Sequence, residues 1–348
     1  MHPGDKATLR LTLGLGLSAL IAYGMALTAP YVVCVMAVIL LSKPGPPLPL
    51  VKGIVAALAL AGLVAAGVVM VPLLENYAVA GILLTAVLLF VIFFAGLVSG
   101  SPLTMVLVIA FAMMPVAGVI EQALVGTLAL TLAVGVAVGT LVGFISSAFF
   151  PDRTAAAAPS AKETRPGSAA AAWIALRATL IVMPVFVLAL TDPSFYLAAI
   201  MKTVTLSQQA GETDARSAGK ELVGSTLMGA VVALGLWFGL SLWPSLWMLA
   251  LWLMAAALWV GSAMTGARSS RFRPSFWSNA LITALILIGP AIEDSASGKS
   301  VLEGTAMRTC LFVGVALYAW GTILLLERWR PARLPAVRPN PASEERPA

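Results

Sequence analysis

The chain has 348 residues, of which 60% are hydrophobic and only 10% are charged, and its formal net charge is +6. Soluble globular proteins carry about 25% charged residues, so this composition excludes a soluble protein and predicts that lipid is the main solvent. The mean hydropathy of +0.98 agrees with an integral membrane protein.

Twelve apolar segments follow one another along the chain. A bilayer core about 30 Å thick requires roughly 20 residues of helix. The predicted spans are 8–28, 30–42, 52–72, 77–98, 103–121, 124–148, 172–191, 193–209, 219–241, 244–265, 276–292 and 306–327. The second and eighth segments are short, so each is either a tilted span or a buried or re-entrant helix. The predicted fold class is all-α, a polytopic membrane protein with about twelve transmembrane helices.

Basic residues lie almost entirely on one side of these predicted spans. The hairpins that follow odd-numbered spans contain only Lys299, with Arg308 just inside the last span, whereas the other face carries fourteen lysines and arginines. The positive-inside rule therefore places both termini and the linker 149–171 in the cytoplasm. The linker and the proline-rich tail 331–348 lack apolar periodicity, which indicates flexible segments. This topology accounts for the positive charge without nucleic-acid binding.

Two short matches indicate that the second half of the chain duplicates the first. LRLTL at 9–13 matches LRATL at 176–180, and MAVILLS at 36–42 matches MKTVTLS at 201–207, with offsets of 167 and 165 residues. Repeats with an even number of spans keep the same orientation, which predicts two parallel six-helix units. The predicted units are residues 1–148 and 172–330.

Lys202 stands alone in an otherwise apolar run, YLAAIMKTVTLSQQ. It follows Pro193 by nine residues, which places it roughly 13 Å from the outer edge of the membrane. A charge at that depth costs about 2.5–3.5 kcal/mol, so Lys202 either has a function or snorkels towards the cytoplasm. Ala37 occupies the equivalent position in the first half, so the fold does not require a lysine there. This asymmetry favours a functional role.

Residues that commonly carry catalysis or bind metals are scarce. Cys34 and Cys310 lie in apolar runs, and the single histidine, His2, lies in the N-terminal tail. This pattern excludes a histidine-based metal site or catalytic triad. The sequence also lacks a P-loop, a nucleophile elbow, HExxH and CxxC. We therefore predict a protein that is not an enzyme and that needs no metal or cofactor.

Three further features each allow a structural and a functional interpretation. Glu221 lies near the start of the ninth span beside Arg216 and Lys220, so it either pairs with a nearby cation, Lys202 included, or exchanges a proton during transport. Trp252 either packs or lines a cavity that accepts aromatic groups. The small residues of the sixth and ninth spans are spaced for close helix contact, within the chain or in a homo-oligomer. These are Gly135, Gly139, Gly143, Gly235 and Gly239.

The segment 195–229, FYLAAIMKTVTLSQQAGETDARSAGKELVGSTLMG, resembles the fusaric-acid-resistance and aromatic-acid-exporter superfamily. The matching features are an aromatic pair, two basic residues four apart, and a glycine–hydroxyl pair followed by a glycine. They fall on Phe195, Tyr196, Arg216, Lys220, Gly224, Ser225 and Gly229. The sequence departs from the pattern at Lys220, where arginine is common, at Ser225, where threonine is common, and in a glycine spacing that is one residue longer. The short linker resembles that of a compact branch of the superfamily whose function is not established.

The resemblance implies an inner-membrane efflux component of Gram-negative bacteria, which often works with a periplasmic membrane-fusion adaptor and an outer-membrane channel. Our leading hypothesis is a proton-coupled secondary exporter of small organic anions, such as aromatic carboxylates. Lys202, Arg216 and Lys220 would attract the anion, Tyr196 and Trp252 would accept its apolar body, and Glu221 would carry the proton.

Two alternatives to this hypothesis stay open. One is a non-transporting membrane subunit that anchors or assembles a periplasmic adaptor. The other is an ordinary major-facilitator transporter, although the basic, glycine-rich loop expected after the second span is replaced by KPGPPLPLVK.

Overall fold

The computed structural model describes residues 3–27, 29–42, 55, 58, 70–100, 104–151, 167–212 and 215–329. All regular structure within these ranges is helical. The helices are α1 (Pro3–Gly24), α2 (Pro30–Leu41), α3 (described only over 70–76), α4 (Ala78–Ser99), α5 (Thr104–Ile120), α6 (Gln122–Phe149), α7 (Ser168–Thr191), α8 (Pro193–Glu212), α9 (Ala215–Leu242), α10 (Leu246–Met264), α11 (Pro274–Ala296) and α12 (Val301–Arg328). Most of the predicted third span, residues 152–166 of the predicted linker 149–171, and the tail after Trp329 lie outside the described residues.

Eight of the described helices are long and apolar enough to cross a membrane. They are α1, α4, α6, α7, α9, α10, α11 and α12. Helices α2 and α5 are shorter but equally apolar. The prediction of an all-α, multi-pass membrane protein is therefore confirmed.

Four helices, α2, α5, α8 and α11, form the interior of the bundle. Residues 30–39 of α2 are all buried, and 83% of the residues in the most apolar 18-residue stretch of α11 are buried inside the protein. Helices α4 and α12 lie at the periphery, since only 22% and 28% of the residues in their corresponding stretches are buried. Interior helices are covered by protein instead of lipid, which explains why α2 is short and why α8 tolerates polar residues.

The helices of the two halves pack in matching pairs. Within the first half, α1 contacts α2 and α6, α2 contacts α6, and α5 contacts α4 and α6. The corresponding pairs of the second half, α7–α8, α7–α12, α8–α12, α10–α11 and α11–α12, are also in contact. The contacts between the halves are paired as well. The α1–α10 contact corresponds to the α4–α7 contact, and the α2–α11 contact corresponds to the α5–α8 contact.

Glycines bring the helices of each half close together. A Cβ at Gly139 of α6 would lie 3.2 Å from the Cα of Ala37 in α2, and a Cβ at Gly135 would lie 3.1 Å from the Met36 side chain. These two glycines therefore serve contacts within the chain, which is one of the two interpretations that their spacing allows. Between the halves, Gly289 of α11 leaves room for the Tyr31 ring of α2, which a Cβ at this position would overlap.

The α11–α12 hairpin is tighter than the sequence predicts. The predicted loop 293–305 shrinks to 297–300, so Glu293 and Asp294 belong to the last turns of α11. Ser300 begins α12 by accepting a hydrogen bond from the backbone N–H of Glu303. This arrangement brings Asp294 within 2.6 Å of Arg308.

Candidate functional site: a buried polar cluster around Lys202

Lys202 lies in the protein interior, with no solvent exposure, among the largest fully buried side chains of the described residues. Its Nζ donates hydrogen bonds to Thr283 Oγ1 at 2.6 Å and to Asn279 Oδ1 at 3.2 Å, both on α11. The side chain therefore neither snorkels to an aqueous surface nor faces lipid. It reaches from α8 to α11, another helix of the bundle interior.

The partners of Lys202 continue into a network that reaches a third helix. Asn279 Nδ2 donates to Ser225 Oγ of α9 at 2.6 Å, and Ser225 Oγ donates to the backbone carbonyl of Leu222 at 3.1 Å. Thr283 Oγ1 donates to the backbone carbonyl of Asn279 at 2.6 Å, so the hydroxyl accepts from Lys202. We refer to Lys202, Ser225, Asn279 and Thr283 as the Lys202 cluster.

The helices of the Lys202 cluster approach closely because α9 carries a glycine at the contact. A Cβ on Gly229 would lie 2.5 Å from Thr283 Cβ and 2.6 Å from the Ala280 carbonyl oxygen. Gly224, one turn nearer the start of α9, faces Phe276 with a Cβ distance of 3.2 Å. The glycine spacing quoted for the family resemblance therefore coincides with the α9–α11 contact.

Glu221 lies one helical turn from Ser225, at the end of the bundle that also holds the start of α11. Its Oε1 is 3.5 Å from Arg273 Nε, and Glu221 is only 7% exposed. The cations that the sequence suggests for Glu221 are Arg216, Lys220 and Lys202, and Arg273, which counts there only among the basic residues of one membrane side, is not predicted as a partner. Glu221 therefore lies between that end of the bundle and the Lys202 cluster.

Phe276 separates the Glu221–Arg273 pair from the Lys202 cluster. It is 1% exposed, stacks on Phe272 with ring centroids 4.2 Å apart, and lies one turn before Asn279. Its contact with Gly224 closes the space between α9 and α11 on this side.

The other side of the Lys202 cluster is closed by apolar packing. Residues 284–291 of α11 are all buried. Between α9, α11 and α12 this packing leaves a cavity of about 10 Å³ that is lined by Ala233, Leu287 and Thr305, among other residues. That volume corresponds to about one water molecule. The described conformation therefore encloses Lys202 from both ends of the bundle.

The remaining predicted site residues lie apart from the Lys202 cluster. Tyr196 is partly buried six residues before Lys202, roughly 9 Å along α8. Lys220 is exposed at the start of α9, and the side chain of Arg216 lies outside the described residues. Trp252 packs on Gly239 of α9, ten residues and roughly 15 Å beyond Gly229. The structure thus does not bring Trp252 or Lys220 to Lys202.

Asn279, Thr283 and Ser225 were not predicted as site residues. The sequence contains a signal for two of them, because Asn279 and Thr283 stand four residues apart in a largely apolar run and share one face of a helix. Polar residues on one face of a buried span usually mark an interior contact.

Comparisons with known proteins identify no relative of this chain. A scan against protein-family models finds no match, and neither does a search of curated proteins or of solved structures. The part of the chain that the structure describes also contains no group of three or more histidine, cysteine or acidic residues placed to hold a metal ion.

Proposed function

We propose that this chain is a secondary exporter of small organic anions, with Lys202 as the group that binds the anion. The observation that carries the proposal is a fully buried lysine whose hydrogen-bond partners, Asn279 and Thr283, are both neutral. Burial of an uncompensated ammonium costs several kcal/mol. An anion that reached Lys202 would offset that cost, which gives the site a physical preference for negatively charged ligands.

The Lys202 cluster has the donors that a carboxylate requires. Once an anion accepts from Lys202, the Asn279 amide and the hydroxyls of Ser225 and Thr283 are each able to donate. Access from the Glu221 end would require Phe276 to move away from Gly224. Glu221 would then carry the coupled proton, since it is a buried carboxylate on that route.

The paired helix contacts of the two halves support parallel six-helix repeats, residues 1–148 and 172–330. Every contact of α1, α2, α4, α5 and α6 with one another has its counterpart in the second half. In this arrangement Ala37 of α2 corresponds to Lys202 of α8. The basic end of the bundle would face the cytoplasm of a bacterial inner membrane, with both termini on that side.

Export is tested as efflux from cells loaded with benzoate, salicylate or acetate, or as uptake of the same probes into inverted membrane vesicles. We expect wild-type protein to export at least one aromatic carboxylate, and we expect Lys202→Met to reduce that rate at least tenfold at an equal membrane level. Lys299→Met is the matched control, because Lys299 is exposed at the opposite end of the bundle. Wild-type export rates in the Lys202→Met protein would refute the site assignment.

A non-transporting subunit that assembles a periplasmic adaptor is the second candidate, and the closed packing around Lys202 favours it. If the wild-type protein moves none of the three probes, co-purification with an adaptor encoded beside it tests this role. An adaptor complex that survives the Lys202→Met substitution would support assembly without transport.

A further inference from the structure

The α10–α11 loop, residues 265–273, is the most basic described segment of the chain. It carries Arg268, Arg271 and Arg273, and the sequence contains no acidic residue between Met264 and Ile292. Arg273 pairs with Glu221. Neither Arg268 nor Arg271 forms an ion pair with any carboxylate in the described part of the chain, so two cationic side chains have no counter-ion there.

Arg268 is held in a fixed position by aromatic side chains. Its guanidinium lies 4.9 Å from the ring centroid of Trp259 in α10 and 5.4 Å from that of Trp277 in α11. Trp277 Nε1 donates to Ser270 Oγ at 2.8 Å, and this hydroxyl also accepts from the backbone N–H of Phe272. Cation–π contact with these two rings uses none of the N–H donors of the guanidinium, which stay available to a ligand.

The position of Arg268 relative to lipid follows from the exposed face of α10. Leu251, Leu258 and Trp259 are 60%, 47% and 44% exposed, and they recur along one side of this candidate span. In a membrane that side faces acyl chains. Trp259 lies five residues before the end of α10, roughly 7.5 Å inside it, so Arg268 sits where the acyl region meets the headgroups.

The neighbouring aromatic residue extends the same surface. Phe272 is 43% exposed while its ring stacks on buried Phe276, so a fixed apolar ring lies next to exposed Arg271. Arginine beside aromatic rings at this depth matches the chemistry of an anionic lipid, which combines a phosphate with an acyl chain. A soluble anion would use the charges but not the exposed rings.

We infer that the α10–α11 loop binds the headgroup phosphate of an anionic phospholipid, with Arg268 as the principal contact and Arg271 as a second one. The acyl chain of that lipid would lie along Trp259 and Leu258. This inference does not depend on the transport proposal, since it concerns the surface of the bundle and not the Lys202 cluster.

Thermal unfolding in nanodiscs tests the inference, with tryptophan fluorescence as the readout. The Tm of the wild-type protein is compared between nanodiscs of pure phosphatidylcholine and nanodiscs in which about 30% of the lipid is phosphatidylglycerol, an anionic lipid. The variants are Arg268→Gln, Arg271→Gln and, as a matched control, Arg328→Gln. Arg328 is an exposed arginine at the end of α12, which is predicted to lie on the same membrane side.

We expect phosphatidylglycerol to raise the Tm of the wild type and of Arg328→Gln equally, and we expect Arg268→Gln to lose at least half of that rise. A full rise in both Arg268→Gln and Arg271→Gln would overturn the inference. An equal loss in Arg328→Gln would also overturn it, because general surface potential would then explain the effect. A rise produced by inorganic phosphate alone in phosphatidylcholine would assign the loop to a soluble anion.

Discussion

Lys202 Nζ lies 2.6 Å from Thr283 Oγ1, and this contact joins α8 to α11 in the interior of the bundle. Thr283 stands nine residues from the start of α11 and thirteen from its end, so the contact lies in the middle third of the helix. Lys202 Nζ has three N–H groups, and Thr283 Oγ1 and Asn279 Oδ1 accept from two of them. Because packing encloses Nζ, an anion that reached it would have to displace that packing, so the closed and the anion-bound forms would differ in the contacts between α8 and α11.

The first prediction concerns the Thr283 hydroxyl. Thr283→Val keeps the β-branched shape but removes the oxygen that accepts from Lys202, leaving a buried N–H donor without that partner. We expect a loss of about 1–3 kcal/mol in the free energy of unfolding, measured in detergent. Thr226→Val is the control, since this buried hydroxyl bonds only the Leu222 carbonyl of its own helix. Equal stability losses in both variants would show that the Lys202 contact contributes nothing.

The second prediction places a permanent negative charge beside Lys202. Asn279→Asp is nearly isosteric, and its carboxylate would lie at the amide position, 3.2 Å from Nζ in the present structure. The built-in anion would compete with the substrate, so we expect at least a tenfold drop in benzoate export without a loss of stability. Asn76→Asp, at an exposed asparagine, is the matched control. Export at the wild-type rate by Asn279→Asp would contradict an anion site at Lys202.

The sequence alone was sufficient to predict an all-α, multi-pass membrane protein, and it singled out Lys202 as an unusual residue. A helix that crosses lipid must be apolar over about 20 residues, and this requirement is visible in the composition and in the length of the apolar segments. A charged lysine in an apolar run is costly within a membrane, so the sequence alone marks Lys202 as a residue that needs an explanation.

The partners of Lys202 could not be predicted in the same way. Nζ bonds residues 77 and 81 positions away, and no local pattern specifies which helix face meets another across that distance. Trp252 shows the same limit of sequence patterns, because an aromatic residue near the middle of a span is equally suited to lining a cavity and to packing on a glycine. Gly239 provides such a surface on α9.

The third prediction concerns the α9–α11 contact. Gly229→Ala would place a Cβ 2.6 Å from the backbone oxygen of Ala280, so the two helices must separate. We expect a loss of about 1–3 kcal/mol in unfolding free energy, together with reduced export. Gly235→Ala on the same helix is the control, because a Cβ there meets no atom within 4 Å. That substitution should be neutral or stabilise the helix by up to about 1 kcal/mol.

The fourth prediction separates proton coupling from structure at Glu221. Glu221→Gln retains the shape and the ability to accept a hydrogen bond from Arg273, but it does not titrate. If Glu221 carries the proton, export by this variant should no longer respond to an imposed pH gradient. Glu303→Gln, an exposed acidic position at the opposite end, should leave the response intact. An unchanged pH response in Glu221→Gln would assign this carboxylate a structural role only.

The fifth prediction concerns the ion pair between Asp294 and Arg308, which closes the opposite end of α11 and α12. Its atoms are 2.6 Å apart, with side chains only 13% and 17% exposed, so the pair is intermediate between a surface and a buried salt bridge. Asp294→Asn would leave the guanidinium partly buried without its counter-charge. We expect a loss of about 1–3 kcal/mol in unfolding free energy.

A double-mutant cycle with Arg308→Gln measures the same contact directly. Because Arg308→Gln removes the charge that Asp294→Asn would strand, the double variant should be more stable than the sum of the two single losses predicts. We expect an interaction free energy of about 1–2 kcal/mol, and we expect it to change little when salt is raised, because the pair is largely shielded from solvent. Additive losses, or an interaction that disappears in 1 M salt, roughly the range in which exposed pairs are fully screened, would show that this pair does not hold α11 against α12.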